Sequence, residues 1–163
     1  MRLTTFKKPT IILVDDHLIF RQGLKSLITI ENLGKVIGEA SDGKEFIKLL
    51  SLPDPDLVIM DIDMPHMNGM EATQKALELK PDLKIIVFSM FGDEEYFLKM
   101  TELGVKGFIL KSSGINEVEK AISDVMNGEK YFSNTLPKNT INKLNLNKPQ
   151  ETIEKPKTPI PWW

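Results

Sequence analysis

The chain has 163 residues, room for one ordinary domain, and a 41% hydrophobic composition, enough to bury a core. It holds no cysteine, which excludes a disulfide framework, a thiol nucleophile and a cysteine-based metal site. Its apolar runs are too short to cross a bilayer or to form a signal peptide, so the expected location is the cytoplasm, away from membranes. The net charge of −2 is uneven, because residues 134–163 hold five lysines and two glutamates and leave −5 for the rest, a sign that gives no electrostatic footprint for nucleic acid.

In chain order, the first strong element is the apolar run Ile11-Ile12-Leu13-Val14, which stops at Asp15-Asp16. Short apolar runs bounded by turn residues predict buried parallel strands. Phe20, Leu24, Leu27 and Ile28 then recur at helical spacing, and Val36 to Ala40 predicts a second strand. Asp42 with Glu45 makes a capping-box-like start to a helix that presents Phe46, Ile47 and Leu50 and ends at Pro53 and Pro55. Leu57-Val58-Ile59-Met60 is the third strand, ending at Asp61. Pro65 to Gly69 form a loop. Ala72, Thr73, Ala76 and Leu77 line a third helix, closed by Pro81.

Ile85-Ile86-Val87-Phe88 precedes Ser89 as the fourth strand. After Gly92-Asp93, Tyr96, Phe97, Met100 and Leu103 mark a fourth helix, with Gly104 as its cap. Phe108-Ile109-Leu110 precedes Lys111 as the fifth strand. A fifth helix runs from Ile115 to Asn127, with Val118, Ala121, Ile122, Val125 and Met126 inward and Gly128 as its stop. Five strands alternating with five helices predict a doubly wound, flavodoxin-like parallel sheet of order 2-1-3-4-5 over residues 9–133. Residues 134–163 hold five of the ten prolines and lack periodicity, which predicts a linker or tail. Trp162 and Trp163 have no physical account there.

Ligands of open α/β sheets bind beyond the carboxyl ends of the strands. Three carboxylates, a hydroxyl and an ammonium are therefore expected to converge on one rim. Crowded carboxylates oppose one another's ionisation unless a cation neutralises them. Oxygen-only ligands, with neither cysteine nor a paired histidine nearby, suit Mg²⁺ or Mn²⁺ rather than zinc. Lys111 supplies a second positive centre, suited to a phosphoryl group. His17 and His66 read as solvated residues, at a helix start and in a loop, in preference to ligands. Phe108 has a plain reading as core, Asp63 as a loop residue, and Asp16 as a helix cap.

Four stretches then carry a resemblance: Ile11–His17, Met60–Gly69, Phe88–Met90 and Gly104–Lys111. In that order and spacing the chain resembles the receiver domain of two-component response regulators, a CheY-like fold. Ser112 after Lys111, in place of proline, points to the NarL/FixJ-like branch. The resemblance implies that Asp61 accepts a phosphoryl group from a sensor histidine kinase. It implies Mg²⁺ on Asp16, Asp61 and the main-chain oxygen of Asp63, with Asp15 acting through water. It further implies Lys111 and the main-chain N–H groups of Ile62 and Met90 on phosphoryl oxygens, and Ser89 with Phe108 as the switch pair.

Asp63 and Phe91 stand where the family tunes phosphate lifetime, and bulky Phe91 is expected to slow attack by water. Homodimerisation is implied either through helices one and five or through the face of helix four, strand five and helix five. The chain turns over no external substrate on this reading. No helix-turn-helix segment is visible, so a truncated transcription regulator and a stand-alone receiver both remain open. Two rivals stand beside it: a haloacid-dehalogenase-like phosphatase using Asp61 and Asp63 as nucleophile and acid, and a receiver that works purely by protein binding.

Overall fold

In the computed structural model of the chain, residues 7–52, 54–90, 94–113 and 115–133 are described. The sequence expectations that fall on Pro53, Phe91, Gly92, Asp93 and residues 134–163, including Trp162 and Trp163, lie outside them. The elements are β1 (Thr10–Val14), α1 (Leu18–Ile30), β2 (Lys35–Ala40), α2 (Gly43–Leu49), β3 (Leu57–Met60), α3 (Gly69–Leu79), β4 (Lys84–Ser89), α4 (Glu94–Leu103), β5 (Gly107–Leu110), α5 (Ile115–Met126) and β6 (Tyr131–Phe132).

The sheet is parallel throughout, in the order β2-β1-β3-β4-β5-β6. The expected 2-1-3-4-5 order is present, and a sixth, two-residue strand extends it beyond β5. Successive side chains of a strand face opposite ways, so the strands feed two cores. Ile12, Val14, Val58, Met60, Ile85, Val87 and Phe108 pack with Phe46, Ala72 and Phe97 from α2, α3 and α4. Ile11, Leu13, Leu57, Ile59, Ile86 and Ile109 pack with Leu24 and Ile28 of α1 and with Val118, Ala121, Ile122 and Val125 of α5. Burial on both faces is why these strands read as unbroken apolar runs rather than as alternation.

Local signals account for the helix ends. The Asp42 side chain accepts from the Glu45 N–H at 2.9 Å, and the Glu45 carboxylate accepts from the Ser41 N–H at 2.9 Å, a capping-box-like start whose return bond falls one residue before the cap. Asn68 caps α3 by accepting from the Glu71 N–H at 2.9 Å. Gly104 and Gly128, at φ of 105° and 86°, take the left-handed conformation that ends α4 and α5. Tyr96, one of the four residues at helical spacing that mark α4, is 40% exposed. Phe97 and Met100 are buried on that helix, and Leu103 packs partly buried against the same core.

β6 exists because buried polar groups hold it. The Tyr131 hydroxyl donates to Glu117 Oε1 at 3.1 Å, and Ser133 Oγ lies 3.1 and 3.2 Å from the two Glu117 oxygens. The Ser133 N–H donates to the Phe108 carbonyl at 2.9 Å. Phe132 then sets its ring edge-on to Phe97, with centroids 5.3 Å apart, while Phe97 stands edge-on to Phe108 at 5.2 Å. The row of three rings ties α4, β5 and β6 together.

Candidate functional site

Strand register builds the rim. Val14 stands opposite Met60, and Met60 opposite Val87, so the residues that follow, Asp15 and Asp61, leave adjacent strands side by side. The Asp61 N–H donates to the Val14 carbonyl at 2.9 Å, and the Asp15 N–H to the Ala40 carbonyl at 3.0 Å. Ser89 pairs with Leu110, and the Lys111 N–H donates to the Ser89 carbonyl at 2.7 Å. Gly69 locks the β3 end from the other side. A Cβ on Gly69 would fall 2.0 Å from the Asp61 carbonyl oxygen, and the Gly69 N–H donates to the Ile62 carbonyl at 2.8 Å. Only glycine permits so close an approach of the start of α3 to the β3 rim.

Four expected site residues meet here. Lys111 Nζ is 2.7 Å from Asp15 Oδ2 and 3.5 Å from Asp61 Oδ2, with its side chain 4% exposed. Its ammonium also sits 4.4 Å above the Phe20 ring, a contact that steadies a buried cation. Ligand atoms of Asp15, Asp16, Asp61 and His17 all lie within 4.8 Å of one another. Asp61 is 3% exposed, and its Oδ2 has no hydrogen-bond partner. Burial, then the charge of Asp15, pushes the Asp61 carboxyl up to about 7, with Lys111 pulling the other way, Asp16 adding to the rise and the Ile62 N–H lowering it.

The remaining expected residues are placed as follows. Ser89 is buried at the end of β4, while Met90 is 59% exposed. Asp63 is exposed in the loop after β3, and Ile62 is buried. Phe108 is fully buried, in the aromatic row rather than in the pocket. His66 is exposed and holds a left-handed φ of 66°. His17 is the solvated helix-start residue expected, its side chain 58% exposed at the N-cap of α1, and its Nδ1 also lies 3.1 Å from Asp15 Oδ1, 3.3 Å from Asp16 Oδ1 and 3.9 Å from Asp61 Oδ2.

Sequence reasoning also missed Arg21 and Phe20 as parts of the site. Arg21 donates through Nη1 to the Asp15 carbonyl and through Nε to Glu39 Oε1 at 3.1 Å, fixing the β1 end from α1. Their position one turn into a helix that follows an acidic pair is the only signal the sequence carries for either.

The donor set fits a divalent cation. Asp15, Asp16 and Asp61 oppose the single ammonium of Lys111, so full ionisation leaves two uncompensated negative charges in a partly buried site. The Asp61 oxygen that lacks a hydrogen bond lies 3.5 Å from Lys111 Nζ and 3.9 Å from His17 Nδ1. Carboxylate oxygens around a small cleft match the preferences of Mg²⁺ and Mn²⁺.

A doubly wound parallel sheet with a carboxylate cluster on its carboxyl rim defines the CheY-like class of flavodoxin-type domains. The response regulator receiver domain family matches residues 11–123, and the chain belongs to it. The nitrate/nitrite response regulator protein NarL of Escherichia coli strain K12 is 38% identical over 127 residues, 78% of this chain and 59% of that protein. The structure of a LuxR-family two-component response regulator from Aurantimonas sp. SI85-9A1 superposes with a TM-score of 0.79 at 31% identity, covering 86% of this chain and 99% of that one. A CheX–CheY–BeF3–Mg complex from Borrelia burgdorferi gives a TM-score of 0.69 at 28% identity, over 77% of this chain and 94% of its counterpart. The chain spans 57–66% of the length of the curated relatives it matches. It is a receiver domain related to NarL- and LuxR-type regulators. No helix among the described residues is long and apolar enough to cross a membrane.

Proposed function

We propose that this receiver accepts a phosphoryl group on Asp61 and passes the signal on by a change of conformation, in a cytoplasmic phosphorelay. The observation that carries the reading is the buried, unpartnered Asp61 Oδ2 beside the Lys111 ammonium and two further carboxylates. Once the carboxyl is ionised, that oxygen has no hydrogen bond to surrender before it attacks.

The donor is a phosphohistidine of a sensor kinase. An Asp61 oxygen attacks phosphorus, the phosphorus–nitrogen bond breaks with its electron pair returning to the imidazole, and an acyl phosphate forms. Asp16, Asp61 and the main-chain oxygen of Asp63 would hold Mg²⁺, or Mn²⁺, with Asp15 acting through water. When bound, the cation supplies charge neutralisation to the transferring group. Lys111, already 3.5 Å from Asp61 Oδ2, turns to a phosphoryl oxygen, and the main-chain N–H groups of Ile62 and Met90 take others.

The new group carries about −1.5 to −2 charges, which favours any conformation that draws Ser89 and Lys111 inward. Ser89 ends the strand paired to β5, and Phe108 lies in β5 against Phe97 of α4. Displacement of Ser89 is thereby transmitted to the α4–β5–α5 face, shifting a two-state equilibrium by the phosphoryl group's differential affinity. Output through a NarL-like transcription regulator, and homodimerisation through α1–α5 or α4–β5–α5, extend this reading to the whole protein.

Incubation with acetyl phosphate and Mg²⁺, followed by intact-mass spectrometry, should show a gain of one phosphoryl group that EDTA prevents and Asp61→Ala lacks. Sustained turnover of an aryl phosphate would instead favour the phosphatase alternative. Absence of any mass gain would leave a receiver that acts by protein binding alone.

A further inference from the structure

Phe20, the third residue of α1, is half-buried and borders two spaces. On one side it lines, with Asp15 and Asp61, a narrow space of about 10 Å³ next to the carboxylates. On the other it lines, with Lys111 and Val118, an open groove of about 380 Å³ between α1 and α5. The ring is thus part of the wall between the groove and the pocket.

Lys111 reaches the carboxylates along that wall. Its Nζ is 2.7 Å from Asp15 Oδ2, 3.5 Å from Asp61 Oδ2 and 4.4 Å from the centre of the Phe20 ring. A lysine ammonium is a point charge on a flexible stem, so the side chain itself does not aim it. The two oxygens that draw it do not stay equal during transfer. Asp61 loses its charge as its oxygen bonds to phosphorus, while Asp15 keeps its own and pulls the amine away. The Phe20 face neither titrates nor reacts, and it attracts the cation throughout. Phe88 packs on Phe20 with centroids 5.3 Å apart and planes tilted by 45°, which fixes the ring from β4, one residue before Ser89.

We propose that Phe20 is a positioning residue for phosphoryl transfer: its ring holds the Lys111 ammonium beside the reacting oxygen as the Asp61 charge is consumed, and bars its way into the α1–α5 groove. The inference rests on Asp61 being the acceptor, as proposed above, and adds what keeps the amine in place. A side chain with no aromatic face frees the ammonium to swing to Asp15 or out along the groove. Misalignment of that kind slows the chemical step. It leaves cation affinity alone, because Lys111 is no ligand of the cation.

Phe20→Leu and Phe20→Tyr of the full chain test this, with acetyl phosphate as donor and Mg²⁺ in excess. The rate of phosphoryl gain, followed by intact-mass spectrometry, should fall roughly fivefold to thirtyfold in Phe20→Leu, which is what a desolvated contact between a cation and a ring is worth. Phe20→Tyr should keep the parent's rate. The Mn²⁺ dissociation constant, read from the EPR signal of the free ion, should be the same in all three proteins. In proton–carbon NMR spectra the Lys111 ε-methylene protons should move downfield in Phe20→Leu as the ring current is lost. Phe20→Met, with the same readouts, substitutes if circular dichroism shows the leucine variant misfolded. A Phe20→Leu rate equal to the parent's would overturn the role of Phe20 and leave Asp61 as the acceptor. So would a rate that falls in step with Mn²⁺ affinity, the mark of a pocket loosened as a whole, or ε-methylene protons that do not move. A parent chain that gains no phosphoryl group would overturn the acceptor reading and this inference with it.

Discussion

Asp61 is the residue on which burial and charge act most strongly. Its carboxyl is raised from 3.8 to about 7, by burial first and Asp15 second. A carboxyl that holds its proton more tightly folded than unfolded contributes stability that is full below the unfolded value and declines as pH rises towards the folded one. The window is therefore 3.8 to about 7, and above it the metal-free protein carries the whole penalty of a buried, crowded charge. In EDTA, Asp61→Asn should melt at a higher temperature than the parent at pH 8, and the gap should shrink towards pH 5. Thermal melts in matched buffers check this, and equal Tm values at pH 8 would contradict it. The same crowding means that Mg²⁺ should raise the parent's Tm more at pH 8 than at pH 5. None of this shift is visible in the letters Met60-Asp61-Ile62, because it comes from burial first and then from the charge of Asp15, against the opposing pull of Lys111, all of which arise only on folding.

At the scale of elements, two glycines in helices behave in opposite ways. Gly69 begins α3 with no room for a Cβ, the obstacle being the Asp61 carbonyl at 2.0 Å. Gly69→Ala should cost about 1–3 kcal/mol and should also weaken divalent-cation affinity, since relief of the clash moves the β3 rim. Gly23 lies mid-way along α1 with nothing within 4 Å of its absent Cβ, and Gly23→Ala should stabilise by about 0.5–1 kcal/mol. Urea denaturation of both variants, with Mn²⁺ titration of the first, checks the pair. The strands and helices that these glycines serve were legible as apolar runs and helical periods, because β1, β3, β4 and β5 are buried on both faces and each helix on one, whereas β2 lies at the sheet edge with Lys35 and Ile37 exposed. β6 was not legible. Two residues, Tyr131 and Phe132, are too few to show a period, and their pairing depends on Glu117 lying beneath Tyr131 and Ser133. Likewise, Asp15, Asp16, Asp61 and Lys111 could be expected to meet because each ends a strand of one sheet. The contact of the exposed His17 ring with Asp15 could not, since a helix-start residue shows nothing of where its side chain will point.

For the whole molecule, we propose that the folded unit ends at Ser133, on the strength of what anchors that residue. Ser133 is fully buried, with its N–H on the Phe108 carbonyl and its hydroxyl at Glu117. A chain ended after Ser133 should keep its unfolding free energy within about 0.5 kcal/mol of the full chain, as changes outside a packed core do. One ended after Lys130 loses Tyr131, the Phe132 ring from the aromatic row and the Glu117 bonds. It should lose at least about 3 kcal/mol, the scale of deleting one buried aromatic side chain. Chemical denaturation of the two truncations separates these outcomes, and equal losses would show that residues 134–163 belong to the folded unit.

The account as a whole depends on Asp61 being the atom that takes the phosphoryl group. Treatment with acetyl phosphate and Mg²⁺, reduction with borohydride, and peptide sequencing by mass spectrometry convert an aspartyl phosphate into homoserine and read its position. Homoserine should appear at position 61 and nowhere else. Its appearance at Asp15 or Asp16, or its absence from a folded, cation-loaded protein, would contradict the proposed chemistry.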